Sequence, residues 1–386
     1  MRIAISLLNR GRGSGVVARQ HASGLIVRGH SVWFVHPENV GSLYGAHNVD
    51  VLLPGSEMPV HEFLPSAGER GRPVSEMPVA EAERYINAYA AALETIDDID
   101  VYISHHGNLS SVAVQQVAQE RGAPYVVFVH GTGIEPRLHG GYLDAVWERI
   151  ADAVGSAEGI IVTTDYVRDE LLLPLVAVDP EKILVLPVGV DLETFQDDPS
   201  GTVQTRFELP EQYVICPGAL TTLKGPQNVV GASRAYADLA PTVFIGDGYL
   251  RSALTRRLGD RGRFLGFVTN AEKAELINAA TILTAAPEKL EHFGIIYVEA
   301  LAAGSVPVAY RGGGVDSIVT PEVGVLTERT PDALGESVRD LLVAEDRRRE
   351  MALFGRKRAE EAYAEGPLTD RLERWLADIA AEGSAI

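Results

Sequence analysis

Strand-length apolar runs alternate with helical patterns along almost the whole chain, and no other feature narrows the possible folds as far. The runs IAISLL (3–8), SVWFV (31–35), VYIS (101–104), YVVFV (125–129), GIIVTT (159–164) and ILVLPVG (183–189) belong to seven strand candidates in residues 3–187. Runs that are apolar at successive positions are buried on both faces, as strands are in a parallel sheet covered by its crossover helices. A second set begins at YVICPG (213–218) and continues through TVFIGDG (242–248), RFLGFV (263–268), TILTAA (281–286), VPVAY (306–310) and GVLTE (324–328), six candidates in all. The pattern predicts an α/β chain of two doubly wound, Rossmann-like domains facing each other across a cleft, where a ligand is expected. At 386 residues the chain has the length for two domains of about 150–200 residues. Their boundary is expected near residues 195–210, with ranges of 1–197 and 198–364, and helices rich in Ala, Glu, Arg and Leu fill 331–381.

Within this frame the stretch PEKLEHFGIIYVEALAAGSVPV (287–308) concentrates the chemistry. Glu291 and Glu299 stand seven residues apart, Phe293-Gly294 reads as the start of a short apolar helix, and Gly304 suits the left-handed position that follows a helix end. Pro307 blocks continuation and VPVAY begins a strand. The helix amino terminus offers backbone N–H groups to a phosphate, whereas ionised carboxylates only accept hydrogen bonds and suit hydroxyl groups. A nucleotide sugar carries both. The plain alternative is a solvated helix with two surface glutamates.

Pro287, Glu291, Phe293, Gly294, Glu299-Ala300-Leu301-Ala302, Gly304, Pro307 and Val308 resemble, position for position, the E-x7-E signature of retaining glycosyltransferase family 4, in the GT-B superfamily. The resemblance extends to Arg28-Gly29-His30-Ser31-Val32 and to PVGVDLETF (187–195), where Val188 replaces a usual Asn. Gly218 and Lys224-Gly225 fit the family's diphosphate loop, except that Ala219 stands where the family usually has Arg; Arg311 or Arg12 is the expected substitute. Gly246-Asp247-Gly248 and Phe267-Val268 match stretches that border the nucleotide and its base, and Gly312 to Asp316 resembles a loop near the phosphates. The resemblance also implies that the last helix, within 365–386, crosses back to the first domain.

From this likeness the expected catalytic residues are His130, Glu291 and Lys224. Donor-binding residues are Gly15, Gly218, Lys224, Phe267, Val268, Phe293, Gly294, Ile295 and Glu299, with Glu299 on the ribose, Glu291 and His130 on the sugar, and Lys224 with the helix amino terminus on the diphosphate. Arg12, His106, Arg137 and His139 are candidate acceptor contacts. The implied reaction is metal-independent sugar transfer, with retention, from a UDP or GDP sugar to a small soluble or carrier-bound acceptor. A catalytically silent nucleotide-sugar binder and a GT-B sugar phosphorylase are the competing readings; no lysine-bound pyridoxal phosphate signature supports the latter.

Other features read more plainly. His130 ends the run YVVFV, at the carboxyl end of a predicted parallel strand, where functional groups gather. Gly11, Gly13 and Gly15 form a loop that is not the dinucleotide fingerprint. The pentapeptide SEMPV occurs at 56–60 and 75–79, inside a Pro- and Gly-rich segment that reads as a surface loop or an acceptor-facing lid. Asp98-x-Asp100 directly precedes VYIS and reads as a turn into a strand; no metal site is expected there, and His105, His106 and His130 lack zinc spacing. A net charge of −19, from 34 Lys plus Arg against 53 Asp plus Glu, argues against a nucleic-acid partner and against attachment to anionic lipid. The first residues lack the build of a secretion signal and no long apolar span occurs, so a cytoplasmic location is expected. The lone Cys216 reads as a small buried hydrophobe.

Overall fold

A computed structural model describes residues 1–9, 13–37, 42–61, 71–196 and 201–383. Two compact units divide the chain: Met1–Val188 together with Glu365–Ile386, and Gly189–Ala364. The first crossing thus falls earlier in the chain than residue 197.

In the first unit, β1 (Arg2–Leu7), β2 (Ser31–His36) and β3 (His47–Asp50) are followed by a two-stranded pair, β4 (Met58–Val60) and β5 (Gly71–Pro73), and then by β6 (Val101–His105), β7 (Tyr125–Val129), β8 (Gly159–Val162) and β9 (Ile183–Val185). The main sheet runs β3-β2-β1-β6-β7-β8-β9 with every pairing parallel. Strands β6, β7 and β8 are buried at every position, which is why their sequences show no alternation. The two SEMPV copies fold differently: the first supplies β4, whereas Val74–Glu76 forms a 3-10 turn and Pro78 precedes the helix Val79–Leu93. Asp100 is used structurally, its Oδ2 accepting from the Arg2 backbone N–H at 2.7 Å where β1 and β6 begin.

The helix Glu365–Gly383 belongs to this unit. His30 Nε2 pairs with Glu373 at 2.7 Å, Arg28 reaches Asp370, and Gln20 reaches Glu365. Gly24 sits under Thr369 and Gly159 under the Trp375 ring, so any side chain at either glycine would collide with that helix.

The second unit repeats the plan. β10 (Val214–Pro217), β11 (Thr242–Ile245), β12 (Gly262–Gly266), β13 (Ile282–Ala285), β14 (Val306–Tyr310) and β15 (Val325–Thr327) form a sheet ordered β12-β11-β10-β13-β14-β15, all parallel. Its core includes Val214, Phe244, Val306, Val308, Leu334 and Val338. Cys216 is buried there, and burial pushes its thiol up to about 12, so it stays protonated and inert.

Candidate functional site

In a doubly wound parallel sheet the strand order reverses at one point, and loops leaving the carboxyl ends of the two strands there diverge and leave a crevice. In the second unit that point lies between β10 and β13, and the loops that leave them, with the helix Ile295–Ala303 after the second, carry most of the expected donor residues.

The loop after β10 starts at Gly218, whose φ of +143° is a glycine conformation and above which a Cβ would meet nothing within 4 Å. Its N–H donates to the Ile245 carbonyl at 2.9 Å, and Gly246, at φ +113°, packs against its own carbonyl. Thr222–Lys224 form a 3-10 turn that ends at Gly225, φ +66°. A Cβ on Gly225 would collide with the Ala286 carbonyl, so glycine lets this loop press against the start of the loop after β13. That approach sets Lys224 beside Glu291, Nζ to Oε1 at 3.1 Å.

Glu291 is held by its backbone. It forms an isolated parallel bridge to Gly313, and its carbonyl accepts from Gly314 N–H at 2.7 Å. Gly313 (φ +82°) and Gly312 (φ +115°) shape that loop, with the Gly312 N–H donating to Asp316 at 2.7 Å. Gly294, at φ +97°, turns the chain into the helix Ile295–Ala303, and Gly304, at φ +77°, ends it, so the helix limits read from the sequence match those observed. Among the described residues no side chain caps its amino terminus. Ile295 is half-buried, whereas Phe293 is buried edge-on to Tyr363, so only the backbone of Phe293 is directed at this loop's chemistry.

Glu299, one helical turn further on, is 7% exposed. Its Oε1 accepts from Lys273 Nζ at 2.5 Å, while Oε2 is buried without a partner among the described residues. Burial raises the Glu299 pKa above its ordinary value, and Lys273 opposes that shift. The Thr269 capping box fixes the start of helix Asn270–Asn278, but nothing in the sequence ties Lys273 to a carboxylate 26 positions later. A clue exists in composition: the chain has only five lysines, and two of them pair with the two glutamates of the motif.

Phe267 follows β12 and is 74% exposed, with Val268 half-buried beside it. Arg251 pairs with Asp247 at 2.8 Å, and the Gly248 N–H, with Arg251, holds the Asp247 carboxyl below its usual range. The Asp247 carbonyl accepts from Leu220 N–H at 3.0 Å, which brings Arg251 next to the Gly218–Leu220 loop. Arg311 instead lines a depression with Asp316, Val319, Thr320 and Arg347 beside the edge strand β15. Arg12 lies outside the described residues.

In the first unit the switch point lies between β1 and β6, and a cluster of histidines gathers at the carboxyl ends of its strands. His130, directly after β7, stacks on Phe128 at 4.2 Å, and its Nε2 lies 3.0 Å from Nδ1 of His105. His106, in a left-handed conformation with φ +85°, packs between the rings of His130 and His61. Gly15 is buried in the first turn of helix Gly13–Val27. Arg137 is ion-paired with Asp144 at 2.8 Å and lies over Trp147, and His139 is exposed at the end of the 3-10 helix Glu135–His139 that carries both. Among the described residues no three His, Cys, Asp or Glu side chains are grouped to hold a metal ion, and no helix is long and apolar enough to cross a membrane.

Residues 11–194 match the profile of Glycosyltransferase Family 4, and residues 202–358 match that of Glycosyl transferases group 1. The chain belongs to glycosyltransferase family 4. This glycosyltransferase is 25% identical over 341 residues to the GDP-mannose-dependent alpha-(1-6)-phosphatidylinositol dimannoside mannosyltransferase of Mycobacterium tuberculosis, covering 84% of this chain and 86% of that one. Solved structures share its fold. Sucrose-phosphate synthase from Thermosynechococcus elongatus superposes with a TM-score of 0.80 at 16% identity, covering 99% of this chain and 100% of that one. HepE of Anabaena, in complex with UDP, gives 0.77 at 16% identity over 98% and 100%. The fold of the glycosyltransferase is therefore GT-B, with two parallel-sheet Rossmann-like domains.

Proposed function

We propose that the second unit binds a nucleotide-diphosphate sugar and that the enzyme transfers its hexosyl group, without a metal ion and with retention at the anomeric carbon, to a small soluble or carrier-bound acceptor. The observation that carries this reading is the buried Oε2 of Glu299, without a partner among the described residues and one turn inside a helix whose amino terminus faces the strand-order reversal. A carboxylate oxygen desolvated without a donor is poised for one brought by the ligand, and a ribose diol supplies it. Glu299 takes the ribose, while Lys224 exchanges its contact with Glu291 for the diphosphate and frees Glu291 for sugar hydroxyls.

In the proposed transfer the bond from the anomeric carbon to the diphosphate oxygen breaks, and the bond from that carbon to the acceptor oxygen forms on the same face. The departing phosphate oxygen takes the acceptor proton. Lys224 and the helix amino terminus stabilise the negative charge that develops on the diphosphate, and orientation of the two reactants contributes the rest of the rate. His130 joins the sugar site on the strength of the family resemblance. Arg251, adjoining the Gly218–Leu220 loop, is a better substitute for the arginine missing at Ala219 than Arg311, which lines a different depression. GDP is supported by the donor named for the mycobacterial relative and UDP by the HepE complex. A cytoplasmic location is proposed with it.

The test is thermal unfolding with a panel of nucleoside diphosphates and nucleotide sugars. Ligand at a hundred times its dissociation constant stabilises by about 2.7 kcal/mol, a shift of several degrees. The wild type should respond to one base, Glu299→Ala should lose the response, and Arg251→Ala should weaken it more than Arg311→Ala. No response to any nucleotide would favour the silent-scaffold reading that Ala219 motivates.

A further inference from the structure

A single hydrogen bond joins the rings of His105 and His130, and the surroundings of His105 decide which ring donates. His105 is fully buried at the end of β6, its ring nearly parallel to Phe128 at 5.0 Å and 5.7 Å from His21. Its Nδ1 faces His130 Nε2 at 3.0 Å, and its Nε2 is enclosed without a hydrogen-bond partner among the described residues. A neutral imidazole carries one N–H and one lone pair. With the proton on Nε2 of His105, an N–H would be buried without an acceptor, the rarer kind of orphan in folded proteins; with the proton on Nδ1, that N–H is satisfied by His130.

We propose that His105 is a positioning residue for His130: it donates from Nδ1 to His130 Nε2, holds that ring against Phe128, and confines neutral His130 to the tautomer protonated on Nδ1. The functional weight of this rests on the reading that His130 meets the donor sugar. The same bond disfavours an imidazolium at His130, because that would turn its Nε2 into a donor and push the His105 proton onto the enclosed nitrogen. Among the described residues, the titratable groups that face the pair include His21 from the helix after β1, His106, and His61, whose ring packs at a tilt on His106. Burial holds His105 well below the usual histidine range, and His130 and His21 act in the same direction.

Nitrogen-15 NMR of the full chain labelled at histidine distinguishes the two tautomers by the shifts of the protonated and unprotonated ring nitrogens, with His130→Gln for assignment. At neutral pH the wild type should show His130 protonated on Nδ1. His105→Asn, whose amide N–H stands near the place of Nδ1–H, should keep that form, whereas His105→Phe should release it to a mixture. Turnover should fall roughly tenfold in His105→Phe and recover to within about threefold in His105→Asn. A wild-type His130 protonated on Nε2, or a His130 tautomer unchanged in folded His105→Phe, overturns the proposal. Should His105→Phe not fold, loss of the Nδ1–H form in His105→Asn overturns it as well. The NMR readout needs no donor, so a failed transfer assay would count against the function without touching the His105–His130 pair.

Discussion

Lys273→Met removes the ammonium group paired with Glu299 while keeping much of the side chain's volume. Stripping a buried carboxylate of its partner costs about 3–5 kcal/mol unless the carboxylate protonates. The Lys273 side chain is 28% exposed, so water screens part of the pair and the lower end, about 3 kcal/mol, is expected at pH 8. Burial already raises the Glu299 pKa, and losing Lys273 raises it further. The folded variant then keeps a proton that the unfolded chain, with a carboxyl near 4.3, releases. Its stability is therefore fully present below the unfolded value and is lost as pH rises through the raised folded value. At roughly 2–4 °C per kcal/mol, melting should drop by roughly 6–12 °C at pH 8, and by less at pH 5. Adding Glu299→Gln removes the stranded charge and should recover most of the pH 8 loss, which a double-mutant cycle followed by calorimetry would show. A melting difference equal at both pH values, or one deepened by Glu299→Gln, refutes the reasoning.

Two further outcomes are expected. Gly225→Ala meets both a positive φ and the Ala286 carbonyl and should lose roughly 3 kcal/mol in urea unfolding, whereas Gly201→Ala, with φ +69° but nothing within 4 Å, should lose only about 1. Equal losses would mean that the close approach of the two loops is not rigid. Lys224→Met should weaken nucleoside diphosphate binding by titration calorimetry at least tenfold while leaving the bare nucleoside within about twofold, and the difference should shrink as salt is raised.

Local chemistry made much of this molecule legible in advance. Continuous apolar runs at β6, β7 and β13 announce parallel strands, and the glycine-bounded helix Ile295–Ala303 stands where Gly294 and Gly304 mark it. Pairings between distant residues were not legible. Lys273 reaches Glu299, Arg251 joins the Gly218–Leu220 loop through Asp247, and His105 meets His130 only because neighbouring strands set their carboxyl ends side by side. Such contacts depend on strand order, which periodicity does not encode. The repeated SEMPV misleads for the opposite reason: one copy is recruited to a strand pair and the other leads into a helix, because neighbours outweigh five identical residues.

The return of Glu365–Gly383 to the first unit has a consequence for synthesis. The second unit is one uninterrupted segment and leaves the ribosome whole, whereas the first, although begun earlier, waits for Trp375 and its helix before Gly159 and Gly24 are covered. At about 5–20 residues per second, the nascent chain spends on the order of ten seconds or more with that face of its first sheet bare. The unit started first is the one finished last, and a chain released early would leave it, and not the second unit, incomplete.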